Sequence, residues 1–115
     1  MQLNEHLSAR YGAEIWLKRE DLTPVRSYKL RGAFNAMRKI AGGAQGHFVC
    51  ASAGNHAQGV AFSARRLGLN NIIVMPTTTP DIKIDAVRRM GGNVVLFGNS
   101  FDEAYAESRR LAEEH

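Results

Sequence analysis

Cysteine is almost missing. Cys50 is the only one in 115 residues, so no internal disulfide can form. That suits a reducing compartment, and the cytoplasm is the expected location. The four histidines, His6, His47, His56 and His115, are scattered without the spacing of a metal-ligand set, so no metal centre is expected. No apolar run approaches the roughly 20 residues of a membrane span. No charged-then-apolar leader opens the chain, so neither membrane nor secretion is expected. No Gly-x-Gly-x-x-Gly follows any apolar run, which argues against a dinucleotide. The net charge of +4 is modest. It can favour anionic ligands without pointing to nucleic acid. The pairs Arg65-Arg66, Arg88-Arg89 and Arg109-Arg110 each stand near the end of an expected helix, where cations complement the helix dipole. A nucleic-acid partner would need those pairs on one face, and none is expected.

What is present is an ordinary globular composition, 44% hydrophobic and 23% charged. The length allows one domain with a buried core. Residues 13–18 alternate, Ile15 and Leu17 against Trp16 and Lys18, which is a strand signal. Lys18-Arg19-Glu20-Asp21 then leads into a loop at Thr23-Pro24. From Ser27 the period becomes helical, with Leu30, Ala33, Phe34, Met37 and Ile40 in one stripe and Gly42-Gly43 as its stop. Ala41 to Gly46 reads as a linker, dividing the chain into 1–45 and 46–115.

After the linker a unit of about two dozen residues recurs three times. Short apolar runs at Phe48–Ala51, Ile72–Met75 and Val94–Phe97 are each followed by a helical pattern. The first helix, Asn55 to Leu67, turns Val60, Ala61, Ala64 and Leu67 inward and stops at Gly68. The second starts near Pro80, packs Ile82, Ala86, Val87 and Met90, and stops at Gly91-Gly92. The third opens on Ser100-Phe101-Asp102-Glu103, a capping-box pattern, and packs Phe101, Ala104, Tyr105, Ser108 and Leu111. Cys50, in the first run, is expected to pack rather than react. Strands alternating with helices imply an α/β fold, a Rossmann-like three-layer parallel sheet with flanking helices. Ligands should gather at the C-terminal ends of its strands. Met1 leads into a helical pattern carrying Leu3 and Leu7 with no strand before it, and the chain stops while still helical. Both ends therefore read as cuts, leaving an open sheet edge that invites self-association into a homo-oligomer.

Two segments carry chemistry. Ser27-Tyr28-Lys29-Leu30-Arg31-Gly32-Ala33 puts one of only four lysines at the entry to a helix. A lysine amine must shed its proton before it can attack a carbonyl. Partial burial, or Arg26 and Arg31 nearby, would favour that neutral form. On helix position alone, Lys29 reads as a solvated surface lysine. Ala51-Ser52-Ala53-Gly54-Asn55-His56-Ala57-Gln58-Gly59 puts a small polar loop between a strand and a helix. Its backbone N–H groups could cradle a carboxylate or phosphate, with Ser52 and Asn55 as added donors and His56 at the rim. Alternatively Ser52 or Asn55 is a plain N-cap. Gly59, one turn in, is expected to permit close packing.

These segments, in this order and spacing, resemble the threonine dehydratases (threonine ammonia-lyases) of the tryptophan-synthase-β fold group. Leu17-Lys18-Arg19-Glu20-Asp21-Leu22, Met75-Pro76-Thr77-Thr78-Thr79-Pro80 and Phe101-Asp102-Glu103-Ala104 are similar as well. The similarity runs from about Leu3 to His115. The resemblance implies pyridoxal 5'-phosphate as cofactor, carried on Lys29, with Asn55 at its phenolic oxygen. It implies a substrate-carboxylate loop of Ser52, Ala53, Gly54, Asn55 and His56. The implied reaction is β-elimination: Lys29 takes the Cα proton, the hydroxyl leaves, and a small amino acid, threonine or serine, ends as a 2-oxo acid and ammonia. Serine racemases are similar but have a serine at the position of Ala53 as a second base. Ala53 cannot move a proton, which favours elimination. The family's glycine-rich phosphate loop and its pyridine-nitrogen contact have no match here. The resemblance therefore implies an N-terminal third: the edge of a large cofactor domain (1–45), then most of a small domain (46–115), holding cofactor weakly by itself. Three other readings stand beside it: a serine racemase-like enzyme, a non-catalytic or swapped α/β chain, and a small anion-binding module built on the Ser52–Asn55 loop.

Overall fold

A computed structural model describes residues 1–41 and 46–115 of the chain. The expected Gly42-Gly43 stop, and most of the Ala41–Gly46 boundary, lie outside the described residues. The chain opens with strand β1 (Gln2–Leu3), helix α1 (Glu5–Tyr11) and strand β2 (Trp16–Leu17), and β1 pairs antiparallel with β2. The expectation that Leu3 begins a helix is wrong. Asn4 is the N-cap, its side-chain oxygen accepting from the Leu7 N–H at 2.8 Å, so the helix cannot begin before Glu5. Leu3 lies ahead of that cap and pairs with Trp16. The strand expected over 13–18 shrinks to two residues because β1 offers only two partners. The predicted alternation survives it: Ile15 and Leu17 are half-buried, Trp16 and Lys18 exposed. No residue of this opening stretch, 1–22, is fully buried. It extends the molecule to 57 × 35 × 22 Å.

Helix α2 (Lys29–Ile40) follows, burying Ala33 and Met37. Ile40, expected on its inner stripe, is 60% exposed at the frayed last turn. Three parallel strands come next, β3 (His47–Ala51), β4 (Asn70–Met75) and β5 (Val94–Leu96), in spatial order β3-β4-β5. Helices α3 (Asn55–Leu67), α4 (Asp81–Arg89) and α5 (Phe101–Glu114) alternate with them. Central β4 is apolar on both faces, as a strand covered on two sides must be. Ile73 and Met75 meet α2, α3 and α4 through Met37, Ala61, Ile84 and Val87. Ile72 and Val74 meet Ala104 and Leu111 of α5. The result is the expected three layers.

Two inward stripes differ from expectation. Pro80 is the N-cap of α4, not its first helical residue, and the buried residues are Ile84 and Val87, while Ile82 is 74% exposed. Ile82 and Ile84 are two residues apart, on opposite faces of a 3.6-residue helix, and only one can meet the sheet. On α5, Ala104 and Ser108 are buried, but Phe101 and Tyr105 are exposed and stack on each other with centroids 6.2 Å apart. The capping box forms: Ser100 Oγ accepts from the Glu103 N–H, and Glu103 Oε2 accepts from the Ser100 N–H. Gly68 closes α3 in the left-handed region at φ +69°.

Candidate functional site

The two segments singled out in the sequence meet in space through Gly59. The Cα of Gly59 faces the first turn of α2 so closely that a Cβ there would lie 3.4 Å from Leu30 Cα and 3.5 Å from the Lys29 carbonyl carbon. Helix α3 therefore backs directly onto the turn that carries Lys29. Below this contact Ser63, fully buried, donates its hydroxyl hydrogen to the Gly59 carbonyl at 2.6 Å. That bond lets a polar side chain occupy the core without an unpaired group.

Lys29 itself is exposed, and among the described residues it forms no ion pair. Partial burial is thus not its state. Of the two arginines expected beside it, Arg31 donates to Glu20 Oε1 at 2.8 Å. Glu20 also lies 3.5 Å from the Lys18 ammonium. These contacts tie the Lys18–Asp21 stretch to α2.

The approach to Lys29 is a closed loop. Thr23 Oγ1 accepts from the Ser27 N–H at 3.1 Å and donates to the Ser27 carbonyl at 3.2 Å. The Arg26 N–H donates to the Thr23 carbonyl at 2.8 Å. Ser27, buried, accepts the Lys29 N–H on its own Oγ at 3.3 Å. Val25 plugs the loop into the protein at 3% exposure. Arg26 has φ +52°, the only positive φ outside glycine among the described residues. A side chain in that region is strained and persists only where the surroundings fix it.

The second segment leaves β3 at the C-terminal edge of the sheet. The Ser52 N–H still bonds the Val74 carbonyl at 3.1 Å, so the loop proper is Ala53–Gly54. Ser52, Ala53 and Gly54 are half-buried, while Asn55 and His56 are exposed on the first turn of α3. The N-cap is Gly54, with no side-chain cap. Neither Ser52 nor Asn55 caps the helix; Ser52 Oγ instead accepts from the Gly54 N–H within the loop at 3.4 Å. The first-turn N–H groups of α3 therefore point to the strand ends without a side-chain partner. Asn55 and Gln58 share a cavity of about 290 Å³ with Pro24, Val25 and Arg26 from the Lys29 loop. Cys50 lies in β3 against the core, and burial pushes its thiol up to about 11. An inert, packed cysteine was expected there.

Sequence reasoning missed the Thr23 clamp, the Arg26 backbone and the part played by Arg89, which reaches the same cavity from α4. A threonine four residues before a serine is the one local signal for the clamp. Nothing in the sequence marks Arg26.

No helix among the described residues is long and apolar enough to cross a membrane, and no three His, Cys, Asp or Glu side chains among them group as a metal site. Comparison with known proteins agrees with this architecture. Threonine dehydratase 1 biosynthetic of Solanum lycopersicum is 54% identical over 114 residues, covering 98% of this chain and 19% of that protein. L-threonine dehydratase biosynthetic IlvA of Escherichia coli is 52% identical over 115 residues, covering 99% and 22%. The processed form of threonine deaminase isoform 2 from Solanum lycopersicum superposes with a TM-score of 0.86 at 49% identity, over 99% of this chain and 32% of that one. Serine racemase from Dictyostelium discoideum reaches the same TM-score, 0.86, at only 25% identity. The chain thus spans about a fifth of the length of these curated relatives. The family described as pyridoxal-phosphate dependent enzyme matches residues 3–115, and the chain belongs to that family.

Proposed function

We propose that this chain is the lysine-bearing part of a pyridoxal 5'-phosphate-dependent ammonia-lyase that dehydrates and deaminates threonine, and serine, to a 2-oxo acid and ammonia. The observation that carries the reading is the contact of Gly59 with the Lys29–Leu30 backbone. It fixes the lysine turn and the Ser52–Asn55 loop as one unit. Biosynthetic threonine dehydratases at 52–54% identity supply the substrate class. In this reading residues 1–45 belong to the edge of a cofactor domain and 46–115 to a smaller domain. A homo-oligomer and a reducing compartment go with it.

The residues fit such a cofactor. Lys29 is exposed and free of ion pairs among the described residues, as an amine that must reach an aldehyde has to be. The start of α3 lacks a side-chain cap, leaving N–H donors for an anionic group. Pyridoxal phosphate, when bound, supplies an aldehyde and an electron sink. Lys29 Nζ is the attachment point and then the base that takes the substrate Cα proton. The Asn55 side-chain amide donates to the phenolic oxygen. Ser52 Oγ and the N–H groups from Gly54 to His56 hold the substrate carboxylate, which orients the Cα–H bond toward Lys29. The methyl group of Ala53 offers no proton on the other face, so hydroxide loss outruns racemisation.

Reductive labelling tests this directly. The protein is mixed with pyridoxal phosphate, reduced with borohydride and mapped by mass spectrometry. A dominant adduct at Lys29 is expected. Even labelling of Lys18, Lys29, Lys39 and Lys83 would overturn the assignment.

A further inference from the structure

The cavity beside Asn55 has a chemistry that the lysine site does not use. Arg26 reaches it from the Lys29 loop and Arg89 from the end of α4, with Asn55 and Gln58 of α3 between them and Val25 and Met90 as apolar walls. No carboxylate lines it among the described residues. The other arginines near acids are paired: Arg19 with Asp21, Arg31 with Glu20, Arg88 with Asp85 and Arg110 with Glu107. Arg26 and Arg89 form no ion pair among the described residues. Two guanidinium groups facing one hollow repel each other unless an anion lies between them. The backbone also holds Arg26 there at φ +52°, where glycine would rest without strain.

We infer that this cavity binds a small oxyanion, a carboxylate or a phosphate monoester, between Arg26 and Arg89. Guanidinium groups offer forked N–H donors matched to two oxygens of such a group, and the amides of Asn55 and Gln58 can donate to the rest. A cavity of about 290 Å³ also admits a small organic body on the anion, resting on Val25 and Met90. The site does not include Lys29 and does not depend on its chemistry. An occupant would join the Lys29 loop, α3 and α4, three segments that otherwise meet only at the rim of this hollow.

The test is a titration of the isotope-labelled chain, first with inorganic phosphate and then with acetate, at constant ionic strength and neutral pH. The readout is the side-chain amide resonances of Asn55 and Gln58. A saturable shift is expected. R89Q should weaken it by roughly tenfold or more, the loss of one charge-assisted contact. R66Q, an exposed α3 arginine that does not line the cavity, should leave it unchanged. R26G separates charge from folding: it relieves the backbone and should raise stability, yet weaken binding as R89Q does. Preference for phosphate identifies a phosphate monoester as the ligand class; preference for acetate identifies a carboxylate. Absence of saturation with both anions overturns the inference. So does equal weakening by R89Q and R66Q, or full affinity in R26G.

Discussion

Gly59 is where the argument can be broken most cleanly. An alanine there places its Cβ 3.4 Å from both Leu30 Cα and Leu30 N, in contact but without overlap. Replacing a helix-interior glycine by alanine gains about 1 kcal/mol of helix propensity. G59A should therefore be neutral or more stable than the wild type, by up to about 1 kcal/mol. Valine adds two methyl carbons beyond that Cβ, and the atoms facing them are backbone, which cannot rotate away. Overpacking of this kind costs about 1–3 kcal/mol, so G59V should fall roughly that far below G59A. At about 4 °C per kcal/mol for a domain of this size, the two variants separate by several degrees in thermal unfolding followed by circular dichroism. Gly92 calibrates the scale. A Cβ there would sit 2.4 Å from Val87 Cγ1 and 3.0 Å from the Val87 carbonyl oxygen, inside the core, so G92A should destabilise where G59A does not. If G59V unfolds at the temperature of G59A, α3 does not press on the Lys29 turn. The physical link between the two segments is then lost, and the functional reading loses the observation that carries it.

Other outcomes follow from local features. Ser100→Ala removes the acceptor for the Glu103 N–H and should cost about 1 kcal/mol, read from the denaturant midpoint of unfolding; Ser100→Asp, which keeps an acceptor, should recover most of it. Cys50, pushed up to about 11 by burial, should alkylate far more slowly in the native protein than in urea at mildly alkaline pH, and equal rates would refute its packing. Because the folded state disfavours the thiolate, its contribution is complete below the unfolded thiol value of about 8.5 and fades as pH rises toward 11. Hydrogen bonds from Arg110 hold the Glu107 carboxyl below its usual range. That contribution is present at neutral pH and lost as pH falls through the folded value, so the stability gap between wild type and E107Q should narrow on acidification; a constant gap would remove the pair from the account.

The elements written in local sequence were readable in advance. Asn55–Leu67 was legible at both ends, since a helical stripe ended at Gly68, and Gly68 takes the left-handed conformation only glycine adopts freely. The Ser100–Glu103 box was legible because both its bonds lie within four residues. Strand β1 was not, because two residues become a strand only when β2 arrives to pair with them. Ile82 and Ile84 are chemically the same, and which one faces inward is decided by where the sheet lies, which no window of sequence contains. Phe101 and Tyr105 share the helical stripe of Ala104 and Ser108, but sit at its edge and stack outward. At the site, Lys29 and the Ser52–Asn55 loop announced themselves as local patterns. Arg26 and Arg89 did not, since sixty-odd residues separate them and only the packing of α4 beside α3 brings them to one hollow.

The distribution of order around Lys29 bears on what the lysine can do. An amine that must both receive a ligand and move a proton needs a mobile tip on a fixed base. The side chain is exposed and unpaired, so its tip is free. Its base is fixed from three directions. Gly59 presses on the backbone from α3, Ser27 Oγ takes the Lys29 N–H, and Thr23 closes the loop ahead of it while Val25 anchors that loop in the core. Each of those hydrogen bonds is worth only about 1 kcal/mol by itself. Together they restrict one short loop, so the entropy of ordering it is met once, on folding, and not again when a ligand binds. The Thr23 hydroxyl contributes two of these bonds, and losing it should free the loop without touching Lys29. Thr23→Val keeps the shape and removes both bonds; Thr23→Ser keeps both. Hydrogen exchange at the Ser27 N–H should quicken in the first and not in the second. Labelling at Lys29 should become less selective over Lys18 and Lys83 in parallel. Faster exchange with unchanged selectivity would mean that the clamp stabilises the loop and nothing more.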